Sequence, residues 1–484
     1  MKRSFSIIFF SIIVLLVSYF TYFRNYQYPA KLFWDENYHI ASAQKYLKGV
    51  FFMEPHPPLG KLFIALGEYL IHPNSEINTQ SFLTTDYIKG VPKGYSFSGV
   101  RFFPTLLATL SAVLIYLILY TLSGRPILSF LFTSLYLFEN AIIVHSRGAM
   151  LEPIQMFFVL LFILFFIYFV NKINASFRAT PRDPKNDILG IPAYIILGLL
   201  YGLAVSVKLN SVPLGILLII LLGKEYYRPT HPFPSREGIR GVCFKSSVFI
   251  LSALSIFVGV YYIHIYLGKS VLDKKYIGAP GQNKTLRKQL EYIAHYEKGV
   301  PKYDVCKVGE NGSLPVTWPF GNKSINYRWE KSGMGVRYLY LQGNPTIWLL
   351  GLGGLFFSVN LIVSVLFFKT KIANKRLYFF ITTFFILYVT YMASMLMVER
   401  VLYLYHYFIP LIFSLILSFL MFLYLFEEGL KKKDIKVITI ITAIIIIIVI
   451  TFLFFSPLTY YQPLTYAQFE LRNWFSFWGL KPVN

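Results

Sequence analysis

The sequence predicts an all-α, polytopic membrane protein with about eleven transmembrane helices and two long outer loops. Of its 484 residues, 56% are hydrophobic and only 14% are charged, against roughly 25% charged residues in a soluble domain. A soluble protein of this composition would expose much apolar surface to water. The net charge of +23 comes largely from basic residues between apolar runs, where anionic lipid headgroups and topology signals explain them. No nucleic-acid-binding module is evident, so we expect no nucleic-acid partner.

Each predicted span is an apolar run, judged against the roughly 20 residues that cross a membrane. The first run follows Lys2 and Arg3 and has no small-residue cleavage site before Arg24, which predicts a retained signal anchor. The sixth run is short. The spans are expected near residues 5–23, 102–122, 127–144, 153–170, 191–207, 212–223, 246–268, 345–368, 377–397, 401–426 and 437–455.

Lysine and arginine residues in the short loops predict the orientation. The basic stretches KTKIANKR and KKKDIK indicate an inner side, which places the N-terminus inside and, with an odd number of spans, the C-terminus outside. The two long loops, at about 24–98 and 269–344, are then outer loops of a single membrane-embedded domain, 1–484. In the second of them GENGSLP and EKSGMGV are typical of turns. The predicted inner loops are 124–126, 171–190, 224–245, 369–376 and 427–436.

The stretch FWDENYH carries two acids, Asp35 and Glu36, about a dozen residues beyond the first span. Adjacent residues on a helix do not share a face, so the two acids are expected to differ in function. One carboxylate can face a substrate while the other holds a neighbouring basic group. A carboxylate near a low-dielectric boundary binds a proton more tightly, which suits a general base. The alternative is a solvated acid pair at the start of an interfacial helix, which the local sequence alone favours.

The stretch EPHPPLGK follows in the same loop. Consecutive prolines fix the backbone and exclude a regular helix. Gly60 permits a close approach, Lys61 adds a cation, and the rigid turn presents His56. The alternative is a structural turn that leads into the apolar segment LFIALGEYL.

These two stretches together resemble the protein O-mannosyltransferases and their bacterial relatives. That family consists of lipid-carrier-dependent glycosyltransferases of the GT-C fold, with eleven spans and the N-terminus inside. Glu54 stands here where the family usually has Asp, and Pro55 where it has Val. Further segments resemble the family in the same order: SGVRFFPTLLATL, ENAIIVHSRGAMLEPIQMFF, GLAVSVKLNSVPLG, LPVTWPF, YLQGNPTIWLLG and ERVLYLYHYFIPLI.

The resemblance implies an inverting glycosyltransferase. It would move mannose, or a related sugar, from a polyprenyl- or dolichyl-phosphate carrier to Ser and Thr hydroxyls of a secreted or membrane protein. Asp35 would be the general base, and Glu36 would hold Arg101 or a loop residue in place. The lipid-linked sugar is a substrate, so no cofactor is required, and the sequence shows no cluster with metal-ligand spacing.

The leaving lipid phosphate needs cations at the outer face, and Arg suits phosphate through its bidentate fork. Alternatives remain for several residues: Arg147 and Arg400 can anchor span ends, Lys208 can pair with an acid, and His406 can belong to an aromatic belt. The candidate phosphate- or acceptor-binding residues are His56, Lys61, Arg101, Arg147, Lys208, Arg400 and His406.

Two other functions remain open. Eukaryotic members of the family carry a β-trefoil module in the second long outer loop, which has only about 75 residues here. A lipid or glycan acceptor is therefore the main alternative, as in the bacterial aminoarabinose transferase for lipid A. A transporter would place charges in the middle of several spans, whereas the charges here cluster at outer ends.

The family resemblance implies the cell membrane of a prokaryote or the endoplasmic reticulum of a eukaryote. The sequence specifies neither the sugar nor the oligomeric state.

Overall fold

The computed structural model describes residues 2–179, 188–226, 236–272, 284–304, 306–307 and 309–483. Parts of three predicted loops, namely 180–187, 227–235 and 273–283, lie outside the described residues. The described chain is mostly helical. Its helices in chain order are α1 (Lys2–Ser18), α2 (Glu36–Leu47), α3 (Leu59–Ile71), α4 (Ser98–Ser123), α5 (Pro126–Phe132), α6 (Ser134–Leu137), α7 (Asn140–Ser146), α8 (Glu152–Ala179), α9 (Ile191–Val207), α10 (Ile216–Tyr226), α11 (Arg236–Leu267), α12 (Leu286–Gly299), α13 (Pro345–Phe368), α14 (Lys375–Leu396), α15 (Phe408–Leu425), α16 (Glu427–Lys432), α17 (Ile435–Thr459) and α18 (Tyr466–Glu470).

All eleven predicted spans fall on helices. Within the described residues, nine helical stretches are long and apolar enough to cross a membrane. The third predicted span is a bent pair, Pro126–Leu137 and Asn140–Ser146, with an angle of 65° between its parts. The fifth is the shorter apolar helix Ile191–Val207. The chain is therefore an integral, multi-pass membrane protein, and the predicted fold class is confirmed.

The break in the third span frees backbone groups, and nearby side chains form hydrogen bonds with them. The carboxylate of Glu139 accepts the backbone N–H of Ile142 at 2.6 Å and that of Asn344 at 2.9 Å. It also accepts the indole N–H of Trp348 at 2.9 Å, and the Asn344 amide donates to the carbonyl of Phe138 at 3.1 Å. Unsatisfied backbone groups are costly in hydrocarbon, so these contacts make a sharp bend tolerable.

Besides the predicted helices, the structure contains a small antiparallel sheet. Its strands are β1 (Ile325–Ser332), β2 (Gly335–Leu341) and β3 (Pro463–Leu464), in the order β1-β2-β3. The predicted turn EKSGMGV closes the β1–β2 hairpin, where Ser332 pairs with Gly335. Gly335 has a φ of +124°, a conformation that favours glycine.

The chain divides into two compact units. The first consists of Met1–Glu36, Ser123–Gly148 and Glu297–Asn484, and the second of Asn37–Leu122 and Ala149–Tyr296. The sheet belongs to the first unit, whereas the stretch EPHPPLGK belongs to the second.

Contacts inside the first unit pair the loops that the charge rule places on one side. Arg125 Nη1 donates to the carbonyl of Leu430 at 3.0 Å, and the Asn374 amide donates to Glu427 at 3.1 Å. All four residues lie in, or directly beside, short loops predicted to be inner. Loops that touch lie on the same side of a membrane, so these contacts agree with the predicted order of crossings.

The second unit shows the same agreement. The backbone N–H of Leu189 donates to Glu225 at 2.9 Å, which joins two predicted inner loops. The backbone N–H of Phe51 donates to the carbonyl of Ser270 at 2.7 Å, which joins the two long predicted outer loops.

Candidate active site

Asp35 directly precedes α2 and is half-buried. Its Oδ2 accepts a hydrogen bond from the Tyr405 hydroxyl at 3.3 Å. Glu36, by contrast, is fully buried, and its Oε2 accepts the backbone N–H of Phe33 at 3.2 Å. Of the two neighbouring acids, Asp35 thus has a carboxylate that a substrate can reach, and Glu36 closes the loop that presents it.

An aromatic wall stands beside Asp35. The Trp34 indole stacks on Tyr327, with ring centroids 5.1 Å apart and 20° between the planes. Tyr403 and Tyr405 meet the indole edge-on at 5.2 and 6.2 Å. Trp34 Nε1 is buried and has no hydrogen-bond partner in the part of the chain that the structure describes. A flat aromatic surface of this kind suits the apolar face of a ring that bears hydroxyl groups.

Two imidazoles stack on the ring of Tyr405. His145 lies 4.9 Å from it with 22° between the planes, and His406 lies 4.6 Å from it with 23°. His145 Nδ1 is 2.6 Å from the Tyr327 hydroxyl. His406 is buried, and its Nδ1 lies 3.2 Å from the backbone nitrogen and 3.0 Å from the carbonyl oxygen of Tyr403. His406 therefore helps to shape the turn that carries Tyr405.

Arg147 and Arg400 both have protein partners. The buried guanidinium of Arg147 donates to the carbonyls of Tyr22, Arg24 and Asn25 at 2.7–3.0 Å. Arg147 thus binds the end of the first membrane-spanning stretch, which favours the anchoring alternative.

Arg400 forms an ion pair with Glu297, with 2.6 Å between Nε and Oε2. This pair joins the segment before the tenth predicted span to the second long loop. A role for Arg400 in binding phosphate would require the anion to share or replace Glu297.

A polar cluster lies in the second unit. Lys61 Nζ is 2.6 Å from Glu54 Oε1 and donates to the Ser42 hydroxyl at 3.1 Å. Lys208 pairs with Glu152, and both side chains are 10% exposed. This contact agrees with the alternative that Lys208 pairs with an acid. Buried ion pairs of this kind are weak evidence for stability, because desolvation offsets their attraction.

Gly60 explains how the rigid turn reaches this cluster. A Cβ atom at position 60 would lie 2.8 Å from Leu151 Cδ2 and 3.1 Å from Val207 Cγ1. These two residues directly precede Glu152 and Lys208 in the chain. The close approach that Gly60 permits therefore brings Lys61 towards the second ion pair.

The cluster affects two titratable groups. Burial, with a further contribution from the Lys61 charge, lowers the pKa of His39 to about 3. The Nδ1–H of His39 donates to the carbonyl of Ala149 at 2.6 Å. Burial raises the pKa of Glu54 and outweighs the opposing effect of Lys61. The cluster thus holds a neutral imidazole among buried charges.

The remaining predicted residues also lie in the second unit. Arg101 is fully buried near the start of α4, and its guanidinium carbon lies 4.2 Å from the ring centroid of Phe97. His56 is half-buried, and its backbone N–H interacts with the Glu54 carboxylate. Among the described residues, no group of three or more His, Cys, Asp or Glu side chains could hold a metal ion.

Sequence reasoning did not single out several residues of these two sites. Trp34 could have been found, since it directly precedes the candidate acid. The others lie far away in the chain or on ordinary helix faces, where composition gives no signal. They are His39, Ser42, His145, Tyr327 and Tyr403.

Two protein-family models match this chain, and together they cover most of it. Residues 12–267 match the family described as dolichyl-phosphate-mannose-protein mannosyltransferase. Residues 283–478 match the C-terminal four-transmembrane region of protein O-mannosyltransferases.

Two curated relatives come from Danio rerio. Protein O-mannosyl-transferase 2 is 26% identical over 45% of this chain, and protein O-mannosyl-transferase 1 is 30% identical over 34%. The matches span only 26% and 22% of those two proteins.

A solved structure with a similar fold is the S. cerevisiae protein O-mannosyltransferase Pmt1-Pmt2 complex bound to the sugar donor. Its TM-score is 0.78 and its sequence identity to this chain is 15%. The alignment covers 99% of this chain and 93% of that chain. An oligosaccharyltransferase from Archaeoglobus fulgidus has a TM-score of 0.52 and 9% identity, over 97% of this chain and 57% of that chain.

Proposed function

Because this chain belongs to the dolichyl-phosphate-mannose-protein mannosyltransferase family, we propose that it transfers a mannosyl group from a polyprenyl-phosphate carrier to Ser or Thr hydroxyls of proteins. The match of the family over residues 12–267 carries this proposal. The accessible carboxylate of Asp35 beside an aromatic wall supports it, because that arrangement offers a base next to a surface for a sugar ring.

In the proposed reaction Asp35 takes the proton of the acceptor hydroxyl. The acceptor oxygen attacks the anomeric carbon while the bond from that carbon to the phosphate oxygen breaks. The proton goes to Asp35, the bonding electrons go to the lipid phosphate, and the configuration inverts in this single displacement. The Tyr405 hydroxyl orients the carboxylate through its hydrogen bond. General-base assistance contributes about 10²–10⁴-fold to such a rate.

We propose that basic side chains bind the lipid phosphate. Lys61, Lys208 and Arg101 are the candidates of the second unit, and each is buried. The phosphate would share Lys61 with Glu54 and Lys208 with Glu152. Replacement of each by Gln is expected to weaken donor binding if the residue contacts the phosphate. Donor binding is measured without an acceptor, so this result does not depend on Asp35.

The donor, the acceptor and the membrane side are parts of the same proposal. We propose a polyprenyl or dolichyl phosphate as the carrier and a secreted or membrane protein as the acceptor. The reaction takes place at the outer face, as the positive charge of the opposite loops predicts. That face belongs to the cell membrane in a prokaryote and to the endoplasmic reticulum in a eukaryote.

The test is sugar transfer in purified membranes. The donor is radiolabelled polyprenyl-phosphate-mannose, the acceptor is a Thr-rich peptide, and wild type is compared with Asp35→Asn. Glu76→Gln, an exposed acid in the same long loop, is the matched control. Labelled peptide that depends on Asp35 but not on Glu76 supports the proposal.

Two other results contradict it. Label that appears only in a lipid or glycan fraction would show the alternative acceptor class. If the folded protein binds the donor yet forms neither product, the assignment of mannose is wrong.

A further inference from the structure

We propose that a polar cleft in the first unit binds an acidic segment of the acceptor polypeptide next to the hydroxyl that receives the sugar. The cleft has a volume of about 480 Å³ and lies between the second long loop and the C-terminal tail. This inference rests on the proposed function, since it specifies which acceptors the enzyme would prefer.

Backbone hydrogen bonds build the cleft. The backbone N–H of Lys323 donates to the carbonyl of Phe477 at 3.1 Å, and that of Ser324 donates to the carbonyl of Trp478 at 2.8 Å. The Tyr340 hydroxyl pairs with the backbone of Lys481 at 3.1 Å. The tail is thus held against the loop, so the cleft is preformed.

The free charge in the cleft is positive. Lys323 and Lys481 line it from the loop and from the tail. In the described part of the chain, no carboxylate pairs with either ammonium group. Glu310 also lines the cleft, but its carboxylate accepts the backbone N–H of Gly312 at 2.8 Å and lies 3.7 Å from Lys307 Nζ. The acid is locally satisfied, whereas the two lysines are available to an anion.

The cleft also offers amide groups for hydrogen bonds. Asn311, Asn322 and Asn326 line it. Each side-chain amide carries an oxygen that accepts and an NH₂ group that donates, so a ligand with both donors and acceptors can pair with them.

These two requirements select the chemical class of the ligand. A single phosphate anion satisfies the lysines, but it leaves most of a cleft of about 480 Å³, with its three asparagine amides, unfilled. A neutral glycan offers hydroxyl donors, but it gives the two lysines no counter-charge. An extended polypeptide with Asp or Glu side chains supplies both backbone N–H groups and carboxylates. The exposed ring of Phe477 adds apolar contact area at the rim.

The position of the cleft fits an acceptor site. The second long loop and the C-terminal tail touch each other, so they share one side of the membrane. The charge rule predicts that this is the outer side, where the proposed acceptor proteins arrive.

The first test is direct binding of peptides to the purified full-length protein in lipid nanodiscs. Two fluorescent Thr peptides of equal length are compared by anisotropy at low ionic strength, one with Asp and Glu around the Thr and one with Asn and Gln. Wild type is expected to bind the acidic peptide about tenfold more tightly. Lys323→Gln/Lys481→Gln is expected to reduce this preference to about twofold, since exposed charge pairs contribute modestly and are screened by salt.

The matched control removes two lysines outside the cleft. Lys302 and Lys331 are exposed and do not line it, and Lys302→Gln/Lys331→Gln lowers the net charge by the same amount. The control is expected to keep the wild-type preference. No preference in wild type, or an equal loss in both double variants, would overturn the proposal.

A further variant separates the two requirements. Asn322→Ala, at a partly exposed position that lines the cleft, is expected to weaken the binding of both peptides by a similar factor and to leave their ratio unchanged. If inorganic phosphate at equal ionic strength displaces the acidic peptide completely, the cleft is a simple anion site and the proposal is wrong.

Binding is measured without donor, so the two proposals can fail separately. Charge-dependent binding without any sugar transfer would contradict only the proposed function. Transfer to the neutral peptide, with no charge preference in Kd or KM, would contradict only the assignment of the cleft.

Discussion

Asp35 and Glu36 show how two adjacent acids acquire different surroundings. Glu36 is buried and accepts a backbone N–H from its own loop, whereas Asp35 stays half-buried beside Trp34. The sequence predicted this division, because neighbouring residues at a helix start point in different directions. It could not predict Tyr405 as the partner of Asp35, since the two are 370 positions apart in the chain.

The hydrogen bond from Tyr405 to Asp35 gives a prediction at the same scale. Tyr405→Phe removes the hydroxyl and keeps the ring that stacks on His145. A net contribution of about 0.5–1.5 kcal/mol for the bond corresponds to a roughly twofold to twelvefold lower kcat. The measurement is steady-state sugar transfer to a Thr peptide.

The control for Tyr405 lies in the same turn. The hydroxyl of Tyr407 is 3.3 Å from that of Tyr388, so Tyr407→Phe alters a buried hydroxyl pair elsewhere. We expect its kcat to stay within about twofold of wild type. A Tyr405→Phe enzyme with unchanged kcat would show that the bond does not position the carboxylate.

His39 makes the stability of the protein depend on pH. Its pKa falls from 6.5 to about 3 in the folded protein, mainly because it is buried. Below pH 6.5 the unfolded chain takes up a proton that the folded chain does not, so stability is lost as the pH falls towards 3. The loss is up to about 1.4 kcal/mol per pH unit.

The variant His39→Asn is expected to reduce this dependence. Thermal unfolding in detergent is compared at pH 7 and pH 4.5 for wild type, His39→Asn and the exposed control His295→Asn. Wild type and the control should lose more stability than His39→Asn. Equal losses in all three proteins would mean that His39 does not govern the acid response.

At the scale of elements, close helix packing depends on single glycines. A Cβ atom at Gly354 in α13 would lie 2.4 Å from the backbone nitrogen of Ser418 in α15. At Gly353, in contrast, a Cβ atom would meet nothing within 4 Å. Small residues that let backbones approach are typical of membrane helix pairs.

Gly354→Ala is therefore expected to destabilise the protein by about 1–3 kcal/mol, because the backbone of α15 must move away. Gly353→Ala should be neutral or slightly stabilising, since Ala favours a helix. Thermal unfolding of the two variants in the same detergent measures the difference. A similar loss in both would contradict the packing found here.

The membrane spans could be predicted from the sequence, because length and hydropathy determine which segments cross a membrane. The bend at Glu139 could not be predicted, since composition does not report the direction of the backbone. The strands at Ile325–Leu341 were missed because four consecutive residues of β2 are buried, which removes the alternation that marks a strand.

At the scale of the whole molecule, the contacts between loops agree with the predicted crossings. The segment before α15 contacts Asp35 through Tyr405 and the second long loop through Arg400 and Glu297. The second long loop in turn contacts the C-terminal tail. These contacts assign all four segments to one side, and the charge rule predicts that this side is the outer one.

Two free, exposed cysteines allow a direct test of the orientation. Cys306 lies in the second long loop, predicted to be outside. Cys243 was predicted to lie in an inner loop, whereas the structure places it in the first turns of the membrane-spanning helix α11, at the end predicted to be inside. A membrane-impermeant maleimide applied to intact cells should label the Cys243→Ser variant and not the Cys306→Ser variant. Unfolding in a denaturing detergent should make both cysteines reactive and serves as the labelling control. The opposite pattern in intact cells would reverse the predicted topology.

The most direct test of the account is single-turnover transfer by Asp35→Asn. The donor is radiolabelled polyprenyl-phosphate-mannose, the acceptor is a Thr peptide, and donor binding to the same preparation is measured in parallel. We predict a rate about 10²–10⁴-fold below wild type, with donor affinity within about threefold. Transfer at the wild-type rate by a variant that binds donor normally would show that Asp35 is not the base.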